Sequence, residues 1–404
     1  MNEVVVTGIG LISALGTNLK DSWEQLIQGN SGIHLHQPFL ELKPRPLGLI
    51  STQPTELHTL TPQVVKSALE DAALKPPLPE CGVVIGSSRA YQASWEKMAR
   101  EFNRASNSKG ELFPQTAIAQ NNTWLDNLPH MNAIAAARLI GAENIVLAPM
   151  AACATGLWAI CAATQLIQTG QCQRVIAGAV EAPITPLTIT GFQQMGALAN
   201  DGLYPFDVNR QGLALGEGGA IFVLESIELA KQRKAQIYGR INGFGLTADA
   251  FHPNQPHPQG KGAISAIKQC LDRSKLAASD IDYIHAHGTG TQLNDRVESL
   301  VIQDIFPPTV AVSSTKGATG HTIGASGALG VAFSLMALQQ QILPPSVGLT
   351  EPEFDLNFVT VPEGEALRNT SHTHKVGQVM CFSFGFGGQN AAIALSHETL
   401  TYKR

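Results

Sequence analysis

The chain has 404 residues, of which 44% are hydrophobic and only 15% are charged. So low a charged fraction excludes a disordered tail protein, because such chains depend on charge to stay solvated. The formal net charge is −5 and the basic residues are scattered, which argues against a nucleic-acid partner. The 38 glycines form no repeat of the collagen or linker type, so they are expected to serve individual positions in a folded protein.

The cysteines, the N-terminal sequence and the apolar stretches together bear on where in the cell the protein is located. The six cysteines form no C-x-x-C pair, which disfavours a zinc ribbon and a secreted disulfide scaffold. The N-terminal sequence MNEVVVTGIG is acidic where a signal peptide would be positive. The most apolar stretch, 132–167, is interrupted by polar residues before it reaches about 18 apolar residues. We therefore predict a cytoplasmic protein without a membrane span.

The first half alternates short β-branched runs with segments of helical period, which is typical of an α/β protein with buried strands. A helix over 18–28 is predicted with Thr17 or Asn18 as its cap, and a second is predicted to begin at Pro62 with Thr61 as its cap. Strands are predicted at 4–7, 82–85, 144–148, 175–178 and 220–224.

A second unit is predicted to begin near residue 236, where a polar stretch gives way to the strand-like sequence IYGRINGFG. We therefore divide the chain into 1–236 and 237–404. The later elements are predicted as helix 262–273, strand 281–287, helix 295–305, strand 310–313, helix 320–341, strand 376–383 and strand 389–396. No tandem repeat links the two halves.

Cys153 is the strongest candidate for a reactive group. It lies in AACATG, between an apolar strand and an apolar helix. A thiol in the first turn of a helix faces unpaired N–H groups and the positive end of the helix dipole, and both favour the thiolate. Cys153 is therefore predicted to be a nucleophile. The alternative is that it is a buried small hydrophobe, which we predict for the other five cysteines.

Two histidines in the second half are candidate partners of this thiol. His287 ends the strand DYIHAH and runs into GTGTQLNDRVE, whereas His321 follows Lys316 by five residues in a glycine-rich segment. Histidine at a strand end beside a glycine turn is a common arrangement in catalytic sites.

A metal site and a helix cap are the alternatives for this region. His285 and His287 are two apart on a predicted strand and could share a metal ion, with Asp295 and Glu298 nearby, but no third ligand has recognisable spacing. Asp295 and Glu298 also match a D-x-x-E capping box for the next helix, which favours a structural role for Glu298.

Two glycine-rich segments have patterns that could form ligand sites. The glycines of FSFGFGGQN, at 382–390, could turn main-chain N–H groups toward an oxyanion or simply form a turn between strands. The segment TGIGLISALG resembles a dinucleotide fingerprint, but the third glycine position is Ser13, so no nucleotide site is predicted.

Taken in order, six segments resemble the β-ketoacyl-acyl-carrier-protein synthases of the thiolase superfamily. They are VVVTGIGLISALG, AACATG, YPFDVNRQGLALGEGGAIFVLE, HAHGTGTQLNDRVE, SSTKGATGHTIGASGA and FSFGFGGQN. The resemblance implies an α/β fold with five αβαβα layers built of two similar halves. It also implies a decarboxylative Claisen condensation with acyl carrier protein as partner, usually in a homodimer. Such enzymes use no metal and no cofactor beyond the phosphopantetheine arm that carries the substrate.

The resemblance also implies a role for each matching residue. Cys153 would accept the acyl chain, and His287 and His321 would bind the malonyl thioester and stabilise its enolate. Lys316 would orient the histidines, with Glu298 as structural support. The remaining roles are an oxyanion hole from the amides of Cys153 and Phe386, an acyl pocket gated by Phe386 near Phe192, and pantetheine contacts from Thr289 and Thr291.

Three departures from the family pattern leave the pathway open. Ala151 and Gly317 replace a usual threonine and serine, and the sequence HGTGT is the form found in polyketide synthases. Fatty-acid, polyketide, polyene and specialised lipid pathways all remain candidates. The alternative functions are a chain-length-determining partner subunit in a heterodimer, which the intact Cys153 argues against, and another thiolase-superfamily acyltransferase.

Overall fold

The computed structural model describes residues 2–109, 122–361 and 375–397. The strands are β1 Val4–Ile12, β2 His34–His36, β3 Arg45–Gly48, β4 Gly82–Gly86, β5 Val146–Leu147, β6 Arg174–Glu181, β7 Leu215–Gly216, β8 Gly218–Ser226, β9 Gly239–Ala248, β10 Tyr283–His285, β11 Ala311–Ser313, β12 Asn357–Phe358, β13 Gln378–Gly385 and β14 Gln389–Ser396.

The helices alternate with these strands as the sequence predicts for an α/β protein. They are α1 Leu19–Ile27, α2 Leu57–Asp71, α3 Gln92–Lys109, α4 Met131–Ile140, α5 Thr155–Gln168, α6 Pro186–Gln194, α7 Ile227–Gln232, α8 Lys261–Ser274, α9 Gln292–Ile305, α10 Lys316–Thr319 and α11 Ser326–Gln340. Short 3-10 turns occur at Asn122–Asn127, Ala278–Asp280, Ile323–Ala325 and Phe386–Gly388.

The main sheet repeats one pairing pattern in both halves. From β1 outward the order is β8, β6, β4, β5, and from β9 outward it is β14, β13, β10, β11, with β12 beyond. In each half the first two pairings are antiparallel and the next two are parallel. The two sets join where β1 pairs with the start of β9. The predicted construction from two similar halves is therefore confirmed, and the predicted division at residue 236 falls between α7 and β9.

Helices cover both faces of each set of strands. The central layer is formed by α5, which contacts β6 and β14, and by α11, which contacts β13 and β8. The outer layers are α2 and α4 on the first half and α8 and α9 on the second. This is the predicted five-layered αβαβα arrangement.

The central helix α11 is apolar on nearly all sides because it is enclosed by protein. The segment Ile323–Gln340, which contains it, is long and apolar enough to cross a membrane, yet 83% of that segment is buried inside the protein. A helix that is hydrophobic all round belongs either in a membrane or in a large core. The burial against both halves accounts for its composition here.

The predicted start of the second helix is wrong. The helix α2 begins at Leu57, so Pro62 lies inside it, and Thr61 donates a hydrogen bond to Asn132 instead of capping the helix. Buried Leu57 and Leu60 extend the apolar face upstream of the proline. By contrast Asn18 caps α1 as predicted, because its side chain accepts the main-chain N–H of Asp21.

Two glycines of the segment TGIGLISALG allow close packing of a strand against a helix. A Cβ on Gly8 would lie 2.7 Å from the main-chain oxygen of Ala68, and a Cβ on Gly10 would lie 2.1 Å from that of Val64. Both acceptor residues belong to α2. The glycines of β1 therefore allow a helix to approach the strand closely, without any ligand.

Candidate active site

The loop between β5 and α5 holds Cys153 in a fixed position. Ala152 has a φ of +46°, which is uncommon for a residue with a Cβ and marks a sharp turn. The hydroxyl of Thr155 accepts the main-chain N–H of Ala151 at 2.8 Å, and Ser383 donates to the main-chain oxygen of Cys153 at 2.8 Å. Because α5 begins at Thr155, the predicted place of Cys153 in the first helical turn is wrong by two residues.

The thiol of Cys153 is buried, and this burial raises its pKa to about 11. The main-chain N–H of Phe386 and the positive charges of Lys316 and Arg89 oppose the increase but do not cancel it. The expectation that the helix end would favour the thiolate is therefore wrong, because burial outweighs it. At neutral pH Cys153 is a thiol, so it must give up a proton when it reacts.

His321 lies in a break between two helices, where the sequence predicts one continuous helix over 320–341. Gly320 has a φ of +72°, which ends α10, and α11 begins only at Ser326. In the break, the main-chain N–H of His321 donates to Ala214 at 2.7 Å, and its main-chain oxygen accepts from Gly216 at 3.0 Å. Pairing with the segment beside β7 therefore competes with the helix and fixes His321.

The ring of His321 has a defined proton position. Its Nδ1 accepts the main-chain N–H of Ile323 at 3.1 Å and lies 2.8 Å from the hydroxyl of Ser326. Because Nδ1 already accepts from Ile323, the neutral ring carries its proton on Nε2, and the Ser326 hydroxyl donates to Nδ1. Burial, reinforced by Lys316, holds the pKa of His321 well below its usual range. The ring therefore offers an N–H to the cavity that it lines.

His287 is fixed through its main chain by two charged residues. The Glu298 carboxylate accepts the N–H groups of His287 and Gly288 at 2.6 and 2.7 Å, and the Lys316 ammonium donates to the main-chain oxygen of His287. Burial, followed by the Lys316 charge, holds the pKa of His287 well below its usual range. Like His321, it is neutral at physiological pH.

The capping box predicted for Asp295 and Glu298 is wrong, because α9 begins at Gln292 and both acids lie within it. Their carboxylates turn back to the preceding loop instead, where Asp295 accepts the N–H groups of Thr289 and Gly290. Both acids thus hold the HGTGT loop rather than the helix end.

The structure brings the three predicted reactive side chains together. Sγ of Cys153 and one ring nitrogen each of His287 and His321 lie within 4.8 Å of one another. The two imidazoles are nearly perpendicular, with ring centres 5.6 Å apart. All three residues line one cavity of about 250 Å³, together with Thr289, Thr291 and Phe386.

The alternative in which His285 and His287 share a metal ion does not fit the structure, because the two rings do not face each other. The ring of His285 lies 3.0 Å from the hydroxyl of Thr315 and 3.8 Å from Sγ of Cys381, away from the cavity. Cys153, His287 and His321 are close enough to share a soft metal ion, which would then occupy the nucleophile.

The glycine-rich loop after β13 packs directly against the nucleophile. A Cβ on Gly385 would lie 2.9 Å from the main-chain oxygen of Ala151 and 3.0 Å from the nitrogen of Cys153, so only glycine allows this approach. The amide of Phe386 faces the Cys153 thiol. The ring of Phe386 packs on the ring of Phe192, with their centroids 5.9 Å apart. The loop is therefore a part of the site and not only a turn.

Glu181, at the end of β6, connects this site to the loop after β4, and the sequence did not reveal it. Its buried carboxylate accepts the main-chain N–H groups of Ser88, Arg89 and Gly324, and the hydroxyls of Ser87 and Ser88. Its partners are remote in sequence, and no local spacing marks it. Glu181 thus ties the loop after β4 to the segment that follows His321.

A buried thiol, two neutral histidines and an amide directed at the thiol lie together in one cavity of a fold built from two similar halves. Residues 50–230 match the model of the β-ketoacyl synthase N-terminal domain, and residues 238–350 match that of the C-terminal domain. The chain belongs to the β-ketoacyl synthase family, as the motifs predicted.

Full-length relatives and solved structures agree with this assignment. The chain is 32% identical to a putative mitochondrial 3-oxoacyl-[acyl-carrier-protein] synthase of Schizosaccharomyces pombe, covering 97% of this chain and 98% of the relative. It is 33% identical to 3-oxoacyl-[acyl-carrier-protein] synthase 2 of Coxiella burnetii, with 98% of each covered. A ketosynthase solved with the acyl-carrier protein of its type II polyketide synthase superposes with a TM-score of 0.88 at 26% identity, covering 98% of this chain and 99% of that one.

These findings establish the class of reaction. The protein is a ketosynthase, an acyltransferase that forms a carbon–carbon bond by condensation in the synthesis of fatty acids or polyketides.

Proposed function

We propose that Cys153 carries the growing acyl chain and that His287 and His321 activate a malonyl thioester on acyl carrier protein. The observation that carries this proposal is the approach of the three reactive atoms to within 4.8 Å in one cavity. Covalent capture of the first acyl chain divides a three-component reaction into two successive encounters.

In the first encounter, Sγ of Cys153 attacks the carbonyl carbon of the acyl thioester. A new S–C bond forms, the bond to the carrier's thiol breaks, and the thiol proton passes through a neutral histidine to the departing sulfur. The oxyanion that forms is stabilised by the amides of Cys153 and Phe386. Removing one donor of an oxyanion hole typically costs about a hundredfold or more in rate.

In the second encounter, the malonyl carbon–carbon bond breaks and carbon dioxide leaves. The electron pair of that bond forms an enolate, whose oxygen accepts hydrogen bonds from the imidazoles of His287 and His321. The enolate carbon then attacks the acyl–Cys153 carbonyl, and Sγ departs and regains a proton. Neutral histidines suit this step, since each has an N–H to donate where negative charge develops.

The residues around the cavity suggest how a carrier would deliver substrate. Thr289 and Thr291 line the cavity, and their hydroxyls lie 2.9 Å apart, within reach of the amides of a phosphopantetheine arm. The solved structures of similar fold include a ketosynthase bound to its acyl-carrier protein and a ketosynthase with its chain length factor. We therefore propose acyl carrier protein as a partner, together with a second ketosynthase-like chain, either an identical copy or a distinct subunit.

We propose no metal and no tightly bound cofactor, because every step above uses only protein groups and the carrier's thioester. A cytoplasmic location also stays a prediction, since some relatives are named as mitochondrial enzymes.

The test of this function measures two quantities separately: the mass of the protein, which reports the acyl adduct, and the release of carbon dioxide. Incubation with hexanoyl-acyl carrier protein should add one hexanoyl group to the wild-type chain and none to Cys153→Ala. Addition of malonyl-acyl carrier protein should release carbon dioxide and form a β-ketoacyl product. The double variant His287→Ala/His321→Ala should form the hexanoyl adduct more slowly, because no imidazole carries the thiol proton, and the adduct that forms should support no carbon dioxide release. Full condensation by Cys153→Ala would overturn the proposal.

A non-condensing partner subunit is the second candidate, because solved ketosynthase and chain length factor complexes have similar folds. The intact Cys153 favours the condensing role. Condensation that requires an added second subunit and survives Cys153→Ala would favour the alternative.

A further inference from the structure

The loop that follows β4 places a positive charge beside the nucleophile. Four donors of this loop bind the Glu181 carboxylate at 2.7 to 2.9 Å: the main-chain N–H groups of Ser88 and Arg89 and the hydroxyls of Ser87 and Ser88. Because the carboxylate also accepts Gly324, near His321, the loop cannot shift independently of the catalytic site. The main chain of Arg89 is therefore rigidly positioned.

Among the residues that the structure describes, the side chain of Arg89 has no counter-ion. Its guanidinium carbon lies 5.6 Å from the centre of the Phe192 ring, and its buried Nε has no hydrogen-bond partner among the described residues. Glu181 binds the main chain of Arg89, but within the described ranges no carboxylate forms an ion pair with the guanidinium. Arg89 as a whole is half-buried. A buried N–H without an acceptor costs free energy, so the unpartnered Nε calls for an explanation.

One side of this cation is covered by an aromatic ring. Phe192 packs on Phe386, whose amide faces the thiol, so the contacts run from Arg89 through two rings to Cys153. The same cluster of buried side chains includes Ile184 and Ile189. A pocket for a plain hydrocarbon chain would need only these apolar groups. A guanidinium placed beside them requires a different explanation.

We propose that Arg89 recognises an acyl chain that carries an oxygen acceptor, and so determines which acyl groups Cys153 accepts. This inference rests on the proposed acyl transfer to Cys153. Guanidinium N–H groups donate to carbonyl, hydroxyl or carboxylate oxygens, and such bonds are strong when water is excluded. A partly oxygenated chain would satisfy Nε of Arg89, while its methylene groups contact Phe192 and Phe386. A fully reduced chain leaves the Arg89 guanidinium unpaired.

The test compares acyl chains of equal length on the same acyl carrier protein. The probes are hexanoyl, the hexanoyl chain with a ketone next to its terminal methyl, and adipoyl, which ends in a carboxylate. The rate of adduct formation on Cys153 is measured by mass spectrometry for the wild type, Arg89→Leu, Arg89→Lys and the surface variant Arg138→Leu. For each variant, the rate of adduct formation with an oxygenated chain is divided by the rate with hexanoyl, and this ratio is compared between variants. The ratio is used because carrier docking and thiol reactivity affect both chains equally.

We expect the wild type to favour at least one oxygenated chain over hexanoyl, and Arg89→Leu to reduce that ratio by about tenfold or more. Arg89→Lys should lower it less, and Arg138→Leu should leave it unchanged. A preference for the ketone identifies a carbonyl acceptor, and one for adipoyl identifies a carboxylate. Hexanoyl transfer with a ratio that Arg89→Leu does not change overturns this inference alone, whereas the absence of every adduct overturns the proposed function as well.

Discussion

Oε1 of Glu298 accepts the main-chain N–H of His287 at 2.6 Å, and the other carboxylate oxygen accepts from Gly288 at 2.7 Å. The acid thereby holds the catalytic loop by its backbone and leaves the imidazole free. Burial raises the pKa of Glu298, and the two N–H donors oppose that increase. On the other side of His287, Lys316 donates to its main-chain oxygen. The position of the imidazole thus depends on the buried side chains of Glu298 and Lys316, neither of which lines the cavity.

Glu298→Gln should weaken both the fold and the reaction. An amide can accept from His287 or Gly288 through its single oxygen, but its NH₂ group would face the other main-chain donor. We expect a loss of about 1–3 kcal/mol in the free energy of unfolding and slower carbon dioxide release from malonyl-acyl carrier protein. Denaturant titration and a decarboxylation assay measure the two effects. Asp304→Asn, on the exposed side of α9, is the control, and equal behaviour of the two variants would contradict the role given to Glu298.

Ser326→Ala should reduce turnover without weakening substrate binding. The hydroxyl of Ser326 orients the His321 ring through Nδ1, whereas the N–H of Ile323 remains in the variant and preserves the tautomer. We expect kcat to fall by about tenfold with KM for the malonyl thioester unchanged. Ser334→Ala is the matched control, because Ser334 is buried in the same helix and its hydroxyl has no hydrogen-bond partner in the described part of the chain. A parallel loss in both variants would indicate a general packing effect.

The layered fold could be predicted because its causes are local. Alternation of β-branched runs with helical periods is a property of each segment, and the predicted strand 175–178 lies inside the observed Arg174–Glu181. The prediction failed where a distant part of the chain competes with local preference. The small apolar residues of 320–341 indicate a helix, yet the pairing of His321 with the segment of Leu215 keeps the helix from starting before Ser326.

The reactive side chains could be predicted because each lies in a short recognisable segment. Their supports could not, since Glu181 joins the loop of Ser88 to Gly324 across more than a hundred residues of sequence. That the Arg89 charge has no counter-ion within the described ranges was equally invisible in the sequence. A missing counter-ion is a property of the folded neighbourhood and leaves no pattern in the chain.

Gly330→Ala should destabilise the fold although alanine is the better helix former. A Cβ at this position of α11 would lie 2.7 Å from Nδ1 of His285 and 2.9 Å from Sγ of Cys381. Overpacking of this kind typically costs about 1–3 kcal/mol, which exceeds the gain in helix propensity. Gly191→Ala in α6 is the control, because a Cβ there meets nothing within 4 Å. In thermal unfolding, the melting temperature should fall for Gly330→Ala and rise for Gly191→Ala. A higher melting temperature for Gly330→Ala would contradict the packing around His285.

His285→Asn should change how stability depends on pH. Burial, followed by the Lys316 charge, lowers the pKa of His285 from 6.5 to about 3. In the folded protein the ring therefore stays neutral at acidic pH, whereas in the unfolded chain it takes up a proton below pH 6.5. The stability that depends on neutral His285 is fully present above pH 6.5 and is lost as the pH falls toward about 3, by up to about 1.4 kcal/mol per pH unit.

The asparagine variant cannot take up this proton when it unfolds. Its stability relative to the wild type should therefore improve as the pH falls from 7 toward 4, even if it is less stable at pH 7 because contacts with Thr315 are altered. Urea unfolding at a series of pH values measures this difference, and His58→Asn serves as the control at a histidine that is exposed to solvent. A constant difference between wild type and His285→Asn across the series would show that His285 titrates normally in the folded protein.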